Sequence, residues 1–113
     1  MATETTKKMI PDEVRDLFRE AALANVPQLV GCLRDDTGGF CAVGYIEARS
    51  RAGADALWTR RAARCHLCGA TTSAEGYLIV NAWRLLVHLN NEHRLGWLDL
   101  AKVPEPGEEE TTR

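Results

Sequence analysis

Cys65 and Cys68 stand two residues apart, His88 and His93 stand four apart, and nineteen residues separate the pairs. No other feature constrains this chain as tightly. Two cysteines at that spacing can turn both sulfurs toward one point, and Gly69 directly after Cys68 suits the chain reversal such a knuckle needs. Two histidines spaced by three to five residues complete an accepted four-ligand zinc pattern. Thiolates and imidazoles at tetrahedral angles satisfy Zn2+. The gap is longer than that of a standard finger. The pattern therefore predicts one structural zinc ion per chain, in a C2H2-like site with a loop-extended middle.

The histidines pose a geometric problem. Five residues of unbroken helix rotate a side chain by about 140° net, which would aim the imidazoles apart. The helix must unwind between them, and Asn90-Asn91 tolerate a helix end there. His66 lies inside the knuckle, where its side chain should point away. Cys32 and Cys41 lack a close partner and read as small core residues. The competing readings are a redox pair at Cys65 and Cys68, unliganded residues, and a site drawing on Cys32 or Cys41.

The chain is 113 residues long, one domain by length. It is 45% hydrophobic, enough for a thin core that a metal staple would help. Pro11, Asp12 and Glu13 open a helix over 11–25, with Val14, Leu17, Phe18, Ala21 and Ala22 on one face. A second helix is expected from Phe40 to Arg51, ended by Gly53, with a strand over Phe40–Ile46 as the alternative. A short turn follows around Leu57 and Trp58. Tyr77 to Glu92 is apolar nearly all round and predicts a long, buried central helix. Trp97 to Val103 forms a last short one. The expected fold is mainly α, a small α+β domain of about four helices over 11–103. It lies between a flexible N-terminal tail, 1–10, and a disordered acidic tail, 104–113.

GGFCAVGYIEA resembles a "G-x-CALGA" segment found in small proteins of phages and actinobacteria. CHLCG with VHLNNEHRLGWLDLAKVPE resembles their "CPxCG … VHLNDxHxWSRExIADWLE" segment. This chain departs after His93, with Arg94-Leu95-Gly96 before Trp97. The resemblance implies the same zinc-finger-like site and a phage-associated role, and it carries no activity.

Net charge is -2, so no global field draws the chain to nucleic acid or membranes. Arg49, Arg51, Arg60, Arg61 and Arg64 nevertheless cluster in sixteen residues, against an acidic C-terminus with Glu105, Glu108, Glu109 and Glu110. No export signal or membrane span is legible, so a cytoplasmic location is expected, where thiols stay reduced. No HExxH, phosphate-binding loop or activated nucleophile is present. Glu92 beside His93 would be a base only at an open zinc, and four protein ligands close the site. The expectation is a non-enzymatic protein-interaction or regulatory module, with Tyr45, Trp58 and Trp97 as candidate anchors. The alternative is nucleic-acid binding through the five arginines.

Overall fold

The computed structural model describes residues 8–62 and 64–105. Five helices follow one another: α1 (Asp12–Leu23), α2 (Ala42–Arg49), α3 (Arg51–Thr59), α4 (Ala82–Asn91) and α5 (Trp97–Ala101). The domain is mainly α, as its sequence implies. Extended structure among the described residues is limited to isolated pairings, Gln28 and Arg34 with Phe40, Arg61 with Asn81, and Thr72 with Leu78.

Three of the five helices, α2, α3 and α4, start where a side chain closes an open N–H group of the first turn. Pro11 leads into α1 with Asp12 and Glu13 in the first turn. Cys41 Sγ accepts from Gly44 N–H, Ser50 Oγ from Gly53 N–H, and Asn81 Oδ1 from Arg84 N–H. α1 packs against α5 and α2, while α4 lies against α2, α3 and α5. Between them, the Trp97 ring sits 6.1 Å from Phe18 and 5.3 Å from Tyr45, and its indole N–H donates to Val26 O.

The expected second helix runs only from Ala42 to Arg49, and the short turn expected around Leu57 and Trp58 is a full helix, α3. Ser50 ends α2 with extended backbone and caps α3, so the stop is a serine and not Gly53. Gly53 lies buried inside α3, where an added Cβ would sit 3.2 Å from Val14 Cγ2. The strand alternative over Phe40–Ile46 does not occur, since α2 begins at Ala42. Gly44 admits no side chain at all: a Cβ there would lie 2.0 Å from the Leu33 carbonyl oxygen.

The expected long helix is also shorter. Tyr77–Val80 is extended and α4 begins only after the Asn81 cap. Ile79 N–H donates to Thr71 O, Ser73 N–H to Tyr77 O and Ala62 N–H to Val80 O, so these residues form the middle of a small ribbon. Ile79 is buried, but Tyr77, Leu78 and Val80 are more than half exposed, so this apolar run is not a core helix.

At the margins, Met9 and Ile10 are buried and Glu105 is held in place. One Glu105 oxygen accepts from Met9 N–H. The other accepts from Ile10 N–H at 3.1 Å and from Arg15 Nη2 at 2.7 Å. The ordered body therefore reaches slightly past 11–103, and the remainder of both expected tails lies outside the described residues.

Candidate metal centre

The knuckle is built by its own backbone. Cys65 N–H donates to Ala70 O at 2.9 Å and Gly69 N–H to Cys65 O at 2.8 Å. Gly69 has φ +74, a left-handed conformation that glycine takes without steric cost. Leu67 N–H points at Cys65 Sγ at 3.3 Å. The N–H of Ala70 points at Cys68 Sγ and, with the rings of His88 and His93, holds that thiol down at about 6. Cys65 is fully buried, and burial pushes its thiol up despite the N–H groups of Cys68 and Leu67.

His88 is in the last turn of α4 and 3% exposed. The helix then stops. Arg94 takes φ +56, and Leu95 N–H reaches back to Leu89 O at 3.2 Å. Because α4 ends at Asn91, His93 lies beside His88 instead of on the opposite side, and the two rings meet edge to face at 4.9 Å. Cys68 Sγ is 3.5 Å from His88 Nε2, and Cys65 Sγ is 3.5 Å from His93 Nε2. One ligand atom from each of the four residues lies within 4.8 Å of every other, so the cluster could hold a metal ion.

Glu92 braces this arrangement from behind. Its Oε1 is 3.0 Å from His88 Nδ1, and its Oε2 accepts from Ala74 N–H at 3.0 Å. Burial opposes ionisation there, but the Ala74 N–H and His88 hold the carboxyl below the usual range. A carboxylate on Nδ1 fixes the tautomer that leaves Nε2 to face an ion.

The other candidates fall elsewhere. His66 is half-buried in the knuckle and outside the cluster. Cys41 is buried at the start of α2 and Cys32 is exposed, and neither joins the four. The five arginines leave from separate elements. Arg49 lies over the Tyr45 ring at 5.1 Å, and Arg51 lines a cleft with Glu47 and Asp55. Arg60 donates to Lys8 O. Arg61 and Arg64 are exposed on the chain entering the knuckle.

Asn90, read from sequence only as a residue that tolerates a helix end, lies within α4 and positions the site. Asn90 is fully buried next to the metal-facing end of α4. Its Oδ1 accepts from Ala42 N–H and Gln28 Nε2, and its Nδ2 donates to Leu29 O at 2.8 Å. It ties α4 to the start of α2 and to the 28–29 segment. The available signal was its place one turn after the buried Leu86, on the apolar face of the helix.

No protein-family model matches this chain, and neither a curated protein nor a solved structure does. The fold and site define a small helical domain with a Cys2His2 cluster able to hold a metal ion. No helix among the described residues is long and apolar enough to cross a membrane.

Proposed function

We propose that Cys65, Cys68, His88 and His93 hold one structural zinc ion, and that the domain so stapled works by binding another macromolecule. The carrying observation is the pair of sulfur–nitrogen distances. Zinc bonds of about 2.3 Å to sulfur and about 2.05 Å to nitrogen, at a tetrahedral angle, set those atoms about 3.6 Å apart. Two of the four sulfur–nitrogen pairs lie at 3.5 Å, and all four ligand atoms lie within 4.8 Å of one another. The order of knuckle, ribbon and helix is that of a finger lengthened by residues 71–80. Four protein ligands leave no open position for a water, which favours a binding module over a catalyst.

The test is elemental analysis of protein purified without chelators, followed by melting with and without a strong chelator. One zinc per chain and a large fall in Tm on chelation are expected. A folded chain without bound transition metal would refute the reading.

For the partner, the structure alters the balance between two candidates. Tyr45 and Trp97, named as anchors for a protein partner, are 1% and 7% exposed and belong to the core. Trp58 alone of the three reaches solvent, at 48%. A phage or host protein remains the first reading, supported by the four-ligand site and the net charge of only -2. Nucleic acid is the second, favoured by exposed Arg61 and Arg64 on the chain between α3, which carries Trp58, and the knuckle. A shift assay at two salt concentrations separates them, because phosphate contacts weaken steeply with salt.

A further inference from the structure

The two most exposed large aromatic residues among those described, Trp58 and Tyr77, line the same groove, of about 210 Å³. Ile79, Trp83 and Val87 supply its apolar wall, and Arg84 stands within it. Trp58 and Trp83 stack at 5.0 Å with 19° between their planes. Trp83 is half-buried, so one face of Trp58 is backed by a fixed indole while the residue stays 48% exposed. The Asn81 side chain donates to Trp58 O and also caps α4, which holds this platform to the helix bearing His88. Across the groove the Arg84 guanidinium lies over the Tyr77 ring at 5.3 Å. Arg61 pairs with Asn81 across the ribbon and is exposed.

The geometry points to a base-stacking site for single-stranded nucleic acid, with Trp58 as platform and Arg84 and Arg61 as the phosphate-facing cations. A near-parallel indole pair is extended by adding another flat ring, which a nucleobase provides. An orthogonal cage for an alkylammonium group would need aromatic walls at right angles, and the Trp58–Trp83 pair supplies parallel ones. Of the acids on the groove, Glu92 is turned to His88 and Ala74, leaving Glu75 against Arg84. Stacking with cations nearby is how single strands are held without sequence preference. A duplex keeps its bases turned inward and offers no free face. This inference rests on the nucleic-acid reading above and gives it a ligand class and a place.

The experiment is fluorescence anisotropy of a labelled short oligothymidylate and of a duplex of the same length, titrated with the zinc-loaded full chain at two salt concentrations. The single strand should bind more tightly than the duplex, and salt should weaken it. Trp58→Ala should lose about tenfold or more, Trp58→Phe should retain most of the affinity, and Tyr77→Ala should also weaken it. Arg61→Ala with Arg84→Ala should flatten the salt dependence. Zinc content and Tm measured on the same samples show that each variant is folded. No salt-dependent binding at all would overturn the nucleic-acid reading together with this site and leave a protein partner. Salt-dependent binding unchanged in both Trp58→Ala and Tyr77→Ala, or equal for duplex, would overturn the groove alone.

Discussion

Glu92 and His88 are joined one helical turn apart, with Oε1 3.0 Å from Nδ1, while the other Glu92 oxygen takes the N–H of Ala74 from the ribbon. One carboxylate thus orients a metal-facing imidazole and anchors the loop that crosses it. Glu92→Gln should lower zinc affinity by about 10- to 100-fold, the usual effect of losing such a partner. Competition with a chromophoric chelator measures it. Unchanged affinity would remove Glu92 from the site.

The four ligands should differ sharply from their neighbour. Cys65→Ser and His88→Ala should each lose on the order of 4 kcal/mol or more, because binding energy at a structural metal site is folding energy. His66→Ala should cost far less than any of the ligand substitutions, because His66 stands outside the four-residue cluster. Denaturant unfolding decides between them. If His66→Ala unfolds the domain and His93→Ala does not, the assignment is wrong.

Metal uptake should release protons in a countable way. At pH 8 the Cys68 thiol, held at about 6, is already ionised, whereas the Cys65 thiol, raised by burial, is not. Zinc binding deprotonates the thiol that still carries its proton. Calorimetry in buffers of different ionisation enthalpy should therefore find close to one proton released per ion. As pH falls through about 6, Cys68 protonates too, the release rises and affinity drops. Two protons released at pH 8 would contradict the asymmetry between the two thiols.

Asn90→Ala should cost about 2–4 kcal/mol, since it strands the buried Ala42 N–H and the Leu29 carbonyl at once. Zinc should still bind to the folded fraction. Thermal melts with metal present and absent test this, and a loss below about 0.5 kcal/mol would show that water replaces the amide.

The cluster was legible because cysteine and histidine at those spacings have few other uses, and because the 140° mismatch already required an unwound turn between His88 and His93. α1 was legible from its proline start and periodic apolar face. The start of α4 was not. Tyr77–Val80 has the composition of a buried helix, and only its pairing with 71–73 and Ala62 and the Asn81 cap make it extended. Gly53 drew attention away from Ser50, whose hydroxyl is the actual start signal for α3. The burial of Tyr45 and Trp97 depends on their contact with each other and on that of Trp97 with Phe18, far along the chain, which local pattern does not reveal.

The clasp of Glu105 on Met9, Ile10 and Arg15 sets both ends of the described body side by side. Circular permutation is then open to this domain: a short linker from residue 105 to residue 8, with new termini cut at the exposed Thr37–Gly38 bend, preserves every helix and the whole Cys2His2 cluster.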